Sequence, residues 1–270
     1  MFNEKVAGLA TLTIGIFSFT SAADAAFVYL FSSGNATNDA LLSTAITNAG
    51  HTPTTGVQWA NFDGTQSLVG FDAVVFANNY NWDMATTMPE AGQQALLNFV
   101  NDGGGMLTTE WFVWNTLGSS RFNTLRALSP VQPTGSFNSA ASTTYTVATP
   151  NAILNAGLPN SLTFPLTSIS GTETVFRPKA SATTYYSSSN GGGVANSGGV
   201  IGWNYGNGRV LSFSSLLGNS SMEDSNYSLL VSNSIDWIVT ETSDPVIPEP
   251  TTIISSIVVG FGLIWRKAKV

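Results

Sequence analysis

The sequence predicts an α/β fold: a three-layer sandwich around a mostly parallel central sheet, with β-rich insertions in its second half. Three observations carry this. As far as Pro130, short apolar runs alternate with amphipathic segments. The triplet Gly103-Gly104-Gly105 closes one amphipathic segment and opens the apolar run Met106-Leu107-Thr108-Thr109, which ends on Glu110 and Trp111. Beyond Pro130 the texture turns to Ser, Thr and Gly with period-2 stretches. Alternating strands and helices return the chain by right-handed crossovers, which sets neighbouring strands parallel.

Phe27-Val28-Tyr29-Leu30-Phe31 is an unbroken apolar run with β-branched and aromatic residues, the pattern of a strand covered on both faces. A polar loop over 32–38 leads into a helix over 40–49, with Leu41, Leu42, Ala45 and Ile46 on one face and Gly50 as its cap. A second strand is expected over 54–59. A third, over 71–76, ends in Asn78-Asn79-Tyr80-Asn81-Trp82-Asp83. Pro89 marks a helix start, after which Leu96, Leu97, Phe99 and Val100 face the core and Gln93, Gln94, Asn98 and Asn101 face water. The strand 106–109 follows, then a helix over 121–128. Strand-like stretches at 143–147, 172–176 and 183–186 belong to one edge of the sheet, and 191–199 reads as a flexible loop. Tyr205-Gly206-Asn207-Gly208 is the turn of a hairpin. A helix over 227–239 closes the domain, burying Leu229, Leu230, Val231, Ile235, Trp237 and Ile238.

Composition narrows the function classes. The 270 residues suffice for one domain with tails, and only 9% are charged, against roughly 25% in an ordinary soluble domain. Solubility carried by uncharged polar groups is common in exported proteins. A net charge of −7, with few basic residues inside the expected domain, argues against nucleic acid as a partner. The absence of cysteine removes disulfides, thiolate metal sites and cysteine nucleophiles together. Stability must come from the core.

Both ends read as addresses. Residues 1–25 have the form of a secretory signal: Lys5 in the n-region, an apolar stretch over 6–19, and Ala23-Asp24-Ala25 as the cleavage site. The domain proper is expected over 26–242. Residues 243–270 form a linker and a tail: Pro248-Glu249-Pro250, a mostly apolar stretch over 251–265, and Arg266-Lys267-Ala268-Lys269. That apolar stretch is a short transmembrane segment, with the basic cluster held inside. The three parts in this order resemble the PEP-CTERM sorting signal. The resemblance implies an exosortase-type processing enzyme as partner, transient anchoring in the inner membrane, and delivery to the envelope, the exopolysaccharide or the biofilm matrix.

Between these ends, Ala49-Gly50-His51, Phe71-Asp72-Ala73-Val74-Val75, Phe99-Val100-Asn101-Asp102-Gly103-Gly104-Gly105, Tyr205-Gly206-Asn207-Gly208-Arg209-Val210 and Asn233-Ser234-Ile235-Asp236-Trp237 follow one another in an order that resembles the ThuA-like branch of the class I glutamine amidotransferase-like fold. The resemblance implies a flavodoxin-like sandwich. It also implies a cysteine, histidine and glutamate triad, which this chain cannot form. The elbow after the triple-glycine strand carries Thr109-Glu110-Trp111, and Leu216-Leu217-Gly218 follows Ser214-Ser215 where the histidine would stand. No G-x-S-x-G occurs, and His51 is the only histidine, so serine-based acyl transfer and a histidine-built zinc site also fall away. Neither metal nor cofactor is expected.

Glu110 remains the sharpest catalytic candidate. Ligands of such sheets bind beyond the carboxyl ends of the strands, and a carboxylate buried beside tryptophan becomes a general acid or base. Asp83, or Glu223 in the loop with Asp224, is a partner carboxylate of the kind glycoside hydrolysis uses. The plainer alternative pairs Glu110 with Arg121 or Arg126. Asn78, Asn79, Asn81 and Trp82, with Trp111 and Trp114, offer amides for sugar hydroxyls and aromatic faces for the ring. His51, just past a helix end, is expected to cap it. The leading expectation is a non-catalytic, degenerate domain that binds saccharide. The alternative is a carbohydrate-active enzyme built on Glu110.

Overall fold

The computed structural model describes residues 25–191 and 197–240. The first half contains β1 (Phe27–Leu30), α1 (Ala36–Asn48), β2 (Thr52–Thr55), β3 (Ala73–Phe76), α2 (Glu90–Asn101), β4 (Gly105–Thr108) and α3 (Glu110–Leu117). The second half contains β5 (Val131–Asn138), β6 (Ser142–Val147), β7 (Ser161–Pro165), β8 (Glu173–Pro178), β9 (Thr183–Ser188), β10 (Gly198–Tyr205), β11 (Gly208–Phe213), α4 (Asn219–Met222) and α5 (Ser225–Val239).

Period-2 alternation along the short strands builds two cores at once. Val28, Leu30, Ala73, Val75, Leu107 and Leu211 face one layer, with Leu42 and Ile46 of α1 and Leu230, Ile235 and Ile238 of α5. Tyr29, Phe31, Val74, Phe76, Met106 and Val210 face the other, with Leu96 and Val100 of α2 and Phe112 and Val113 of α3. A sheet buried on both faces explains the unbroken apolar runs. The strand order is β2-β1-β3-β4-β11-β10-β9-β6-β7, while β5 pairs β8 and β8 joins β10. The pairings from β2 to β11 are parallel, and those beyond β11 are antiparallel. The three-layer α/β sandwich is therefore present, and its β-rich second half extends one edge of the sheet.

The triple glycine has three separate reasons. Gly103 takes φ +124, the left-handed exit from α2; a Cβ on Gly104 would strike the Phe99 ring; one on Gly105 would lie 2.4 Å from the Ile238 carbonyl of α5. That contact places the end of α5 at the amino edge of the sheet, where β1 also begins.

Several local expectations shift. Helix α1 starts a turn early because Asn35 caps it, accepting from the Asn38 amide. Strand β2 is shorter and earlier than 54–59, and Trp59 lies in a 3-10 turn. Gln93 is buried, not wet: it donates to the Met88 carbonyl and accepts from the Thr124 amide. The helix expected over 121–128 is only the 3-10 turn Thr124–Ala127, since the Arg121 and Phe122 amides both close on the Asn115 carbonyl instead of feeding a helical ladder. Leu229 stays exposed at 37%. Strands β5 and β7 had no clear sequence signal. The segment 192–196 and both predicted addresses up to residue 24 and from 241 lie outside the described residues. Among the described residues no helix is long and apolar enough to cross a membrane.

Candidate functional site

Four chain segments converge beyond the carboxyl ends of β1, β3, β4 and β11. Asn79 donates to Asn38 Oδ1 at 2.9 Å, and Asn38 donates to the Leu217 carbonyl at 2.7 Å, tying the loop after β3 to α1 and to the loop after β11. Asn81 donates to the Ser32 carbonyl at 3.0 Å. Thr109, the residue ahead of α3, reaches Asn78 Oδ1 at 3.5 Å. The Asn219 amide meets Tyr80 Oη at 3.4 Å.

These bonds leave a remainder. Nine buried side-chain polar atoms lack a partner among the described residues, and seven lie here: Asn78 Nδ2, Asn79 Oδ1, Asn81 Oδ1, both Glu110 oxygens, Trp111 Nε1 and Asn219 Oδ1. Each such atom costs about 1–3 kcal/mol, so their concentration on adjacent loops demands a cause.

Glu110 is fully buried at the first turn of α3. Burial, and next the charge of Glu173, hold its carboxyl protonated well above the ordinary 4.5. Thr174 pulls the other way, but its amide is committed to the Ser214 carbonyl at 2.9 Å and neither Glu110 oxygen has a hydrogen bond in proper geometry. Gly171, with φ +149, lies against the site: a Cβ there would sit 3.6 Å from Glu110 Oε1 and 3.4 Å from the Phe137 ring. The β5–β8 arm thus covers the carboxyl.

Glu173 starts β8 and is itself buried. Its oxygens accept from Ser214 at 2.5 Å and Asn190 at 3.0 Å. Tyr145 Oη is within 2.9 Å of both Ser214 Oγ and Ser215 Oγ, and Tyr227 Oη is 2.8 Å from Ser215 Oγ. Burial first, and then the Glu173 charge, pushes the Tyr145 phenol up; burial dominates at Tyr227 as well. Tyr227 donates to the Leu216 carbonyl at 3.1 Å, and Ser214 links the neutral Tyr145 phenol to the Glu173 carboxyl, a satisfied network next to an unsatisfied acid.

The sequence candidates divide accordingly. Asn78, Asn79, Asn81, Glu110 and Trp111 come together. Asp83 is exposed and offers its backbone carbonyl to Arg121. Glu223, also exposed, ends α4. The carboxylate acting on Glu110 is Glu173 instead. The arginine pairing is absent too: neither Glu110 oxygen has a partner, and Arg121 binds the Trp82 carbonyl at 2.7 Å and Asn115 Oδ1. Trp82 and Trp111 stack on each other at 3.9 Å, with Trp114 edge-on to Trp111, so the tryptophan faces serve one another. His51 accepts from the Ala26 amide at 3.1 Å and meets Asp236 at 3.0 Å, joining β1 to α5 far from the strand tips. Ala25 is exposed. Ala23, Pro248, Glu249, Pro250 and Arg266 lie outside the described residues.

Glu173, Asn38 and Asn219 escaped the sequence reading. The one available signal for Glu173 was a lone carboxylate in the Thr-rich, β-branched stretch Thr172-Glu173-Thr174-Val175. A cavity of about 900 Å³ lies at the other end of the sheet between residues such as Leu68, Phe71, Phe99 and Asn207. It contains none of the unpartnered atoms, so the strand tips remain the better candidate. No cluster of three or more metal-ligating side chains occurs among the described residues.

No protein-family model matches the chain, and no curated protein matches it in sequence. Its fold is shared with solved structures. A ThuA-like protein from Parabacteroides merdae superposes with a TM-score of 0.58 at 13% identity, over 81% of this chain and 92% of that one. A ThuA-like protein from Bacteroides uniformis gives 0.57 at 14% identity, over 81% and 94%. A β-galactosidase from Bacillus circulans gives 0.55 at 11% identity, over 79% of this chain but 31% of the galactosidase. The chain has the ThuA-like fold.

Proposed function

We propose that the chain is an exported, envelope- or matrix-associated domain that binds a saccharide at its strand tips without turning it over. The carrying observation is the set of unpartnered atoms. Asn78 Nδ2, Trp111 Nε1 and the protonated Glu110 are donors, while Asn79 Oδ1, Asn81 Oδ1 and Asn219 Oδ1 are acceptors. Hydroxyl groups donate and accept, so a polyol answers both kinds at once. Because these atoms are enclosed, binding requires the covering loops or the β5–β8 arm to part.

Export rests on the two sequence addresses. An exosortase-type enzyme is the proposed processing partner, acting near Pro248-Glu249-Pro250 after transient anchoring through residues 251–265.

A second reading, a carbohydrate-active enzyme, is favoured by one feature: two buried carboxyls in each other's field, one kept protonated and one held by hydrogen bonds. Environments that split two carboxyls supply an acid and a base. In this reading Glu173 takes the role first assigned to Asp83 or Glu223.

Calorimetric titration of neutral mono- and oligosaccharides against the parent and Asn78→Leu tests the first reading. Binding to the parent and its loss in the variant, with stability unchanged or higher, supports it; no binding by any saccharide overturns it. Hydrolysis of a chromogenic glycoside that disappears in Glu110→Gln establishes the second. The mature C-terminal residue from the native host, determined by mass spectrometry, tests the processing.

A further inference from the structure

We propose a second, independent binding site, for an oxyanion group on a ligand of sugar size, where the β5–β8 arm meets the turn Thr124–Ala127. A cavity of about 440 Å³ lies there, lined by Leu117, Arg126, Val131, Gln132 and Lys179. Small-ligand pockets span about 300–1,000 Å³.

The arm brings the charges together. Arg126 belongs to the turn, and Lys179 follows β8; Lys179 Nζ donates to the Arg126 carbonyl at 3.3 Å and lies 4.8 Å from the Trp203 ring centroid. Gln132 of β5 stands opposite Arg177 of β8 in the antiparallel register. Directly opposed residues project from the same face, so Arg177 leaves the ribbon on the side of Gln132. Of Arg121, Arg126, Arg177, Lys179 and Arg209, the arginines and lysines of the described part, Arg126 and Lys179 line the cavity, and Arg177 projects from the ribbon face that carries Gln132.

No carboxylate lines the cavity, although acidic residues outnumber basic ones 16 to 9 in the chain. The ion pair among the described residues, His51 with Asp236, is elsewhere. Like charges held together cost free energy, and Lys179 registers this: burial, and then the Arg126 charge, moves its pKa down. An oxyanion turns that cost into attraction, since guanidinium forks match carboxylate and sulfate geometry. The net negative charge of the chain opposes distant anions, so recognition here depends on contact. The half-buried Leu117 supplies an apolar wall for a ring.

The test titrates the full chain at low salt with oligogalacturonate, with inorganic sulfate, and with a neutral oligosaccharide of equal length. The Arg126→Gln, Lys179→Gln double variant is run alongside. Arg126 is exposed and Lys179 half-buried, and the variant's melting curve verifies that it folds. Binding of either anion, weakened about tenfold or more in the double variant and by added salt, supports the site, and the anion that binds identifies the oxyanion. The neutral oligosaccharide should be insensitive to the double variant. Failure of both anions to bind, or anion binding that the double variant leaves unchanged, overturns the proposal.

Discussion

Glutamine at position 110 keeps the shape of the glutamate and removes its proton equilibrium, which isolates the property that makes the site unusual. The native carboxyl is buried, faces the Glu173 charge and is raised well above 4.5. The unfolded chain releases its proton near that ordinary value, while the folded chain retains it. Over the interval between the two pKa values the folded state binds more protons, so stability falls as pH rises. The loss begins near pH 4.5, ends at the native pKa, and has a slope of about 1.4 kcal/mol per pH unit for one group. Glu110→Gln lacks this slope. Urea unfolding of parent and variant in parallel should show the variant gaining about 1.4 kcal/mol over the parent for each unit through that window. In melting temperature this is about 3–6 °C per unit. Taking the difference cancels the titration of the other carboxyls. Glu173→Gln in the parent should close the window at lower pH, because one of the two raising causes is gone while burial persists. A variant-minus-parent difference independent of pH would refute the reasoning. So would a difference of opposite slope, which requires a native carboxylate that is charged and paired.

Two further outcomes test the frame that holds the site. His51→Ala removes the acceptor of the Ala26 amide and the partner of Asp236, and should cost about 1–3 kcal/mol in urea unfolding without altering ligand titrations. Gly92→Ala places a Cβ 1.9 Å from the Phe62 carbonyl; this backbone clash should cost about 1–3 kcal/mol despite alanine's better helix propensity, and a neutral or stabilising result would contradict the packing of α2.

The central fold was legible because its causes are local. Unbroken apolar runs gave β1 and β3, the glycine triplet gave the stop of α2 and the start of β4, and residue order then left few topologies. The asparagine cluster was legible for the same reason, lying on one loop between recognisable elements. What failed involved contacts distant in sequence. Gln93 reads as a wet helix residue until Met88 and Thr124 are brought to it. The sequence offers Asp83 at a strand tip or Glu223 before the last helix as the partner of Glu110, yet Glu173 arrives from an arm whose first strand has no sequence signal. Trp82, Trp111 and Trp114 read as open sugar platforms, since nothing in a sequence tells whether two rings will cover each other.

The placement of the chain ends bears on export, and the fold itself supplies it. A βα chain that begins with a strand and closes with a helix has both termini at the amino edge of its sheet. Here α5 starts beside the strand tips, where Tyr227 bonds Ser215 and Leu216, and ends with Ile238 against Gly105. Thr240, the last described residue, therefore stands at the edge opposite Glu110 and the asparagines. If the proposed tail anchors the domain, the candidate site stands at the far edge of the sheet from the point of attachment.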